Sequence, residues 1–157
     1  ARAYGNVYVA QISLGANDRQ ATKALLEAAA WPGPSLVIAY SPCVAHGIDM
    51  SQTMVHMRDA VHSGHWPLYR YRPGADEHEH PFQLDSHAPD KSFREFAMTE
   101  GRFAMLARSD PGRADELFTI AQADVDERWR YYEQLAGVER TMGPHVGDQG
   151  DHEEERA

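Results

Sequence analysis

The chain has 157 residues, 42% of them hydrophobic, with 24 acidic against 15 basic side chains and a formal net charge of -9. That length gives room for one domain, and an acidic surface disfavours DNA, RNA and anionic membranes as partners. No apolar run approaches the roughly 20 residues of a membrane span, and the single cysteine, Cys43, excludes an internal disulfide and fits a reducing, cytoplasmic setting. The N-terminus lacks the pattern of a signal peptide. It begins at Ala1 without a starting Met, only a few residues before an expected strand, as if the chain were met midway through a fold.

Val7 to Leu14 is a mostly apolar, β-branched and aromatic run of the length of a buried strand. Asn17, with Gln20 three residues on, reads as a helix N-cap in a capping box. Ala21, Ala24, Leu25 and Ala28 give the helix one apolar stripe, and Trp31-Pro32-Gly33-Pro34 stops it. Ser35 to Tyr40 is a second strand without polar alternation, the pattern of a parallel strand covered on both faces. Together these make a βαβ unit with a right-handed crossover. The loop Ser41-Pro42-Cys43-Val44-Ala45-His46-Gly47 then lies at the C-terminal edge of the second strand, where open α/β sheets hold ligands.

Asp49 is placed to cap the next helix. Met50, Met54, Met57 and Val61 fall on one face of it, expected as core packing, and Gly64 ends it. Trp66 to Tyr71 reads as a short strand, with Pro67 placing it at an edge or at the strand's start. Its aromatics are expected in the core. Pro73 to Pro89 is a long polar loop with a short strand around Phe82 to Leu84. Phe93, Phe96, Phe103 and Leu106 mark two short helices. Asp110-Pro111 starts the longest helix, whose apolar positions are Leu117, Ala121, Val125, Trp129 and Tyr132, and Gly137 ends it. Residues 138–157 lack periodicity and carry Asp148, Asp151, Glu153, Glu154 and Glu155 against Arg156, the composition of a disordered acidic tail.

The expected fold class is therefore α/β: a partial parallel-sheet, Rossmann-like domain, βαβαβ followed by a long loop and a long C-terminal helix. Two or three parallel strands do not make a stable doubly wound domain. Further strands are expected from upstream residues or another chain, with one strand edge and one sheet face left bare here and poor folding alone.

Three stretches, in order along the chain, resemble one family. They are Tyr4-Gly5-Asn6-Val7-Tyr8-Val9-Ala10; Pro32-Gly33-Pro34-Ser35-Leu36-Val37-Ile38-Ala39-Tyr40-Ser41-Pro42-Cys43 closing with His46-Gly47; and Trp66-Pro67-Leu68-Tyr69-Arg70-Tyr71 followed by Pro81-Phe82-Gln83-Leu84-Asp85-Ser86. The family is that of the pyruvate:ferredoxin (flavodoxin) oxidoreductases, and residues 1–137 resemble the C-terminal part of its thiamine-diphosphate-binding domain. The resemblance implies oxidative decarboxylation of pyruvate to acetyl-CoA and CO2 by the complete protein. It implies thiamine diphosphate with Mg2+ as cofactor and electron transfer through [4Fe-4S] clusters to ferredoxin or flavodoxin. It also implies coenzyme A as acceptor, the remainder of the enzyme as partner, a homodimer when complete, and a cytoplasmic location.

It further implies that Cys43 is one ligand of the [4Fe-4S] cluster nearest the thiamine, with the other ligands outside this chain. A thiolate is the usual ligand in such clusters and four are needed. The family's Gly-Asp-Gly anchor for Mg2+ and diphosphate has no counterpart; Gly147-Asp148-Gln149-Gly150 lies in the tail and follows no strand. The resemblance thus implies no catalytic residue here and an inactive chain on its own. Tyr40, Ser41, Pro42 and His46 flank Cys43, either tuning the cluster through hydrogen bonds or simply packing the loop.

Other patterns carry less. His78-Glu79-His80 lies in a Pro-rich loop, where a solvated segment outweighs a metal site. His62 and His65 straddle a helix end and are expected at the surface. Cys43 and His46, three apart on a loop, form no evident nucleophile pair. The rival to the enzymatic reading is a non-catalytic short subunit or interaction module that docks onto a partner carrying the cofactor motifs. A thiol-redox protein built on Cys43 would lack its second cysteine.

Overall fold

A computed structural model describes residues 1–74 and 80–138. The tail proposed for 138–157 lies outside them beyond Val138, as do His78 and Glu79. The strands are β1 (Tyr8–Ile12), β2 (Ser35–Ala39), β3 (Tyr69–Tyr71) and β4 (Phe82–Leu84). The helices are α1 (Asp18–Ala30), α2 (Thr53–His62), α3 (Phe93–Ala97), α4 (Gly101–Ser109) and α5 (Pro111–Ala136).

The sheet order is β2-β1-β3-β4. β1 and β2 are parallel, Tyr8 opposite Ser35 and Ile12 opposite Ala39, joined through α1 as a βαβ unit. β3 differs from expectation: it runs antiparallel to β1, with Ala10 opposite Arg70, and β4 runs antiparallel to β3. The sheet is mixed, with one parallel pair. Residues 63–68, with Gly64 at φ 70°, connect α2 to β3. Pro67 stands just before β3, which lies inside the sheet rather than at its edge.

Each face of β1 has its own core. Tyr8, Ala10 and Ile12 pack with Ala21, Ala24, Ala28, Trp31 and Val37 on the α1 side. Val9, Tyr69, Tyr71 and Phe82 pack under Tyr132, Leu135 and Ala136 of α5 on the other. A third cluster joins Ala60 of α2, Phe93, Phe96 and Ala97 of α3, and Ala114, Phe118 and Val125 of α5.

Local signals account for the helix ends. The Asn17 side chain accepts from the Gln20 amide at 2.9 Å, and that of Asp110 accepts from the Arg113 amide at 3.0 Å. The reciprocal half of the box at Asn17 is missing, because the Gln20 side chain turns inward to Gln11 and Asp85. The complete capping box is at Ser92 and Glu95, opening α3.

Two apolar stripes fall elsewhere than expected. Leu25 is exposed, since α1 meets the sheet through its small residues Ala21 and Ala24. On α2 the buried face is His56, Met57 and Ala60, while Met50 and Met54 lie exposed at 44% and 52%. β2 was expected to be covered on both faces, yet it forms one edge of the sheet with Leu36 at 42% exposure. Among the described residues no further strand pairs with its outer edge.

Candidate functional site

The loop carrying Cys43 begins where β2 ends. The Tyr40 amide donates to the Ile12 carbonyl at 3.0 Å, extending the parallel ladder by one residue. The Trp66 indole donates to the same carbonyl at 3.0 Å, and its ring lies 5.4 Å from that of Tyr40. Pro42 is buried, and Cys43 follows in extended backbone (φ -124°, ψ 131°) with its side chain exposed. The chain then closes into a single 3-10 turn, Val44–His46, with the His46 amide bonded to the Cys43 carbonyl at 3.0 Å. Gly47 ends the turn at φ 69°, a left-handed conformation that disfavours any residue with a Cβ.

Backbone holds the far end of the loop. The Gly101 amide donates to the Gly47 carbonyl at 3.2 Å, and a Cβ added at Gly47 would stand 3.0 Å from the Gly101 Cα. The two glycines permit an approach of backbone on backbone.

Beneath the loop lies a group of buried polar side chains. The Tyr40 hydroxyl stands 3.0 Å from Nε2 of His56, which is 4% exposed. His56 Nδ1 is 3.2 Å from Thr99 Oγ1, and the Thr99 hydroxyl donates its hydrogen to the Phe96 carbonyl at 2.6 Å. Thr99 must therefore accept from His56, so Nδ1 carries the proton. In the neutral ring Nε2 is then bare and accepts from Tyr40. Burial lowers the His56 pKa against the opposing charges of Glu100 and Asp59, which keeps the ring neutral near pH 7. Burial, reinforced by Glu100, pushes the Tyr40 phenol up to about 12, so it remains a donor. Glu100 is 3% exposed, with Oε1 at 3.4 Å from His56 Nε2 and Oε2 accepting from Arg102 at 2.6 Å.

His65 joins this group and is not the surface residue expected. Its ring is 5.2 Å from Phe96 and 5.6 Å from Phe93, and burial, then Arg128, lowers its pKa. His62 is exposed as expected, 2.7 Å from Asp90. Sequence reading missed His56, Thr99, Glu100 and Gly101. The signal available was His56 four residues before Ala60, on the same helix face, but the methionine stripe beside it was the stronger periodic pattern.

A single exposed thiol on a braced loop fits one corner of an iron-sulfur cluster and no more. No group of three or more His, Cys, Asp or Glu able to hold a metal occurs among the described residues. Gly147-Asp148-Gln149-Gly150 lies outside them.

No family model matches the chain. Among curated proteins, it is 50% identical over 147 residues, 93% of its length, to a putative pyruvate-flavodoxin oxidoreductase of Synechocystis sp.. The chain matches one segment of the pyruvate-flavodoxin oxidoreductases. It is also 48% identical over 144 residues to the pyruvate-flavodoxin oxidoreductase of Trichormus variabilis, and 47% over 137 residues to the pyruvate:ferredoxin oxidoreductase of Moorella thermoacetica. The chain spans 12% of the length of each of these relatives. The matches bear out the resemblance carried by the three stretches. The two halves of the third stretch meet in the structure: Arg70 of the first and Asp85 of the second form a bidentate pair next to Glu27. No helix among the described residues is long and apolar enough to cross a membrane.

Proposed function

We propose that this chain supplies Cys43 as one thiolate ligand of a [4Fe-4S] cluster in a pyruvate:flavodoxin or pyruvate:ferredoxin oxidoreductase. The observation that carries the proposal is the match to relatives of that name over 93% of the chain, with its sole cysteine exposed at the end of β2. The complete protein oxidatively decarboxylates pyruvate to acetyl-CoA and CO2 and passes electrons to flavodoxin or ferredoxin in the cytoplasm. Thiamine diphosphate, Mg2+ and the other cluster ligands are held by polypeptide outside this chain, and the chain alone is inactive. A bound cluster supplies one-electron transfer.

The chain's own residues present and fence the thiol. The β2 ladder and the Tyr40 anchor fix where the loop starts. Pro42 restricts the backbone just before Cys43. The Gly47–Gly101 contact returns the loop to the body of the fold, so the thiol stands clear of its own domain and faces whatever covers the β2 edge. The rest of the enzyme, forming a homodimer when complete, covers the bare edge of β2.

The test is iron and acid-labile sulfide content, measured without air, on the chain assembled with the cluster-bearing remainder. Iron that disappears on Cys43→Ala supports the reading. Iron retained in full by Cys43→Ala overturns it. A well-folded complex devoid of iron would leave an interaction module.

A further inference from the structure

The loop from Ser41 to Gly47 is held at both ends by the same short segment, Thr99 to Gly101, between α3 and α4. At one end Thr99 accepts from His56, whose other ring nitrogen accepts from Tyr40 at the tip of β2. At the other end Gly101 donates to Gly47. Cys43 sits between these anchors, exposed, with its carbonyl engaged by the 3-10 turn. We propose that Tyr40 and His56 are positioning residues for Cys43: their hydrogen bond, seated on Thr99, sets where the thiol stands. The proposal rests on the ligand reading for its consequence at the cluster, though not for its consequence on the loop.

The chemistry supports a positioning role over plain packing. A buried tyrosine can be held by ring contacts alone, and Tyr40 has those with Trp66, His65 and His56. Ring contacts tolerate sliding, whereas the hydroxyl-to-imidazole bond fixes the distance and direction of the ring. His56 cannot rotate to accommodate a shift, because its second nitrogen is committed to Thr99 and its face to Phe96, 4.9 Å away. The chain of constraint runs from the α3–α4 junction through His56 to the strand end, three residues before the thiol. Glu100, 3.4 Å from the same Nε2, is itself held by Arg102 at 2.6 Å.

The test has two arms. In the protein assembled with the remainder of the enzyme and stripped of iron, hydrogen exchange is read at the His46 and Gly47 amides, together with the rate of Cys43 alkylation by N-ethylmaleimide, followed on its own peptide. The variants are Tyr40→Phe, His56→Leu and His56→Gln. Tyr8→Phe is the control, since it removes a hydroxyl bonded to Glu27 on a residue paired with Ser35, at the opposite end of β2 from the loop. Tyr40→Phe and His56→Leu are expected to speed exchange at His46 and Gly47 by about tenfold, the factor one buried hydrogen bond is worth, and to change the alkylation rate. His56→Gln, which keeps an acceptor for Tyr40, should recover most of the loss, and Tyr8→Phe should leave both readouts unchanged. Equal effects from all four variants would mean general destabilisation and would overturn the inference.

In the assembled, iron-loaded protein, Tyr40→Phe is expected to keep its iron, to shift the midpoint potential, and to lose iron to a chelator faster than the parent. Iron lost on Cys43→Ala, with parental potential and chelator release in Tyr40→Phe and His56→Leu, would refute positioning while leaving the ligand reading intact. Iron retained in Cys43→Ala, with fast loop exchange in Tyr40→Phe, would refute the ligand reading while leaving the loop support intact.

Discussion

The guanidinium of Arg70 in β3 grips the carboxylate of Asp85, one residue beyond β4, through two bonds of 2.8 Å. A third bond, 2.7 Å, runs from Arg70 to Glu27 on α1, which also accepts from the Tyr8 hydroxyl at 2.9 Å. One arginine thus ties β3, α1 and the end of β4 to β1. Its side chain is only 10% exposed, and Asp85 and Glu27 together raise its pKa, so it stays charged at every usable pH. Replacing it strands two partly buried carboxylates. Arg70→Ala is expected to cost about 3–5 kcal/mol in urea unfolding, the range for breaking a buried pair from one side. Arg70→Lys should recover only part of it, because a lysine cannot grip Asp85 bidentately. A double-mutant cycle with Asp85→Asn that returned no coupling would contradict this picture.

Much of this architecture was legible in the residues, and the reasons for the rest are physical. β1, β2 and α5 carry long apolar or periodic signals, and the caps at Asn17 and Asp110 use side chains whose local chemistry decides the matter, whereas Asp49 caps the 3-10 turn Met50–Gln52 that precedes α2 and not α2 itself. Strand direction is a different kind of information. Nothing within Tyr69-Arg70-Tyr71 states that it pairs antiparallel with β1; that is decided only by the tertiary packing of β3 beside β1. Arg70 and Asp85 were visible as members of the family-like stretches, but their pairing spans 15 residues and emerges only once β3 and β4 align. The Cys43 loop was found through resemblance. Its supports were not, because His56 and Glu100 are polar residues buried by tertiary contacts that no local pattern records.

Gly47 and Gly5 offer a controlled pair. Both have left-handed backbone, φ 69° and φ 76°, but a Cβ at Gly47 meets Gly101 at 3.0 Å while one at Gly5 meets nothing within 4 Å. Gly5→Ala should therefore show only the backbone penalty, about 1–2 kcal/mol. Gly47→Ala should cost more and should also break the Gly101–Gly47 bond, with faster exchange at the Gly101 amide. Equal losses of stability in the two variants would show that the close approach carries no energetic weight.

The buried imidazoles set an acid limit. His56 and His65 both have pKa values lowered from 6.5 by burial, against Glu100, which favours the charged form of each. The unfolded chain therefore binds protons that the folded chain resists, and stability falls as pH drops below about 6.5. The facing groups are Asp59, Glu100, Arg102 and Arg128, with Tyr40 donating to His56. Between pH 7 and pH 5 the loss should approach 1.4 kcal/mol per pH unit for each histidine that stays neutral, about the linkage limit. His56→Gln should remove its share of the slope in urea unfolding measured across that range. An unchanged slope would mean that the imidazole protonates freely in the folded state.

The edge of β2 sets the behaviour of the isolated chain. Ser35-Leu36-Val37-Ile38-Ala39 is apolar and β-branched, its outer backbone edge borders no other strand of the sheet, and Leu36 is 42% exposed. Leu14, Met50 and Met54 are also exposed, at 55%, 44% and 52%. An open strand edge with apolar neighbours is a template for pairing with another chain. The isolated chain is therefore expected to self-associate as its concentration rises, measured by sedimentation velocity. Leu36→Lys should suppress this, because a lysine on an edge strand makes strand-to-strand pairing costly while disturbing little of the Val37 contact with α1. In the assembled protein the same substitution should instead weaken binding to the remainder of the enzyme, if, as proposed above, that remainder covers the β2 edge. A monomeric parent chain would refute the first expectation. Assembly unaffected by Leu36→Lys would show that the partner docks elsewhere.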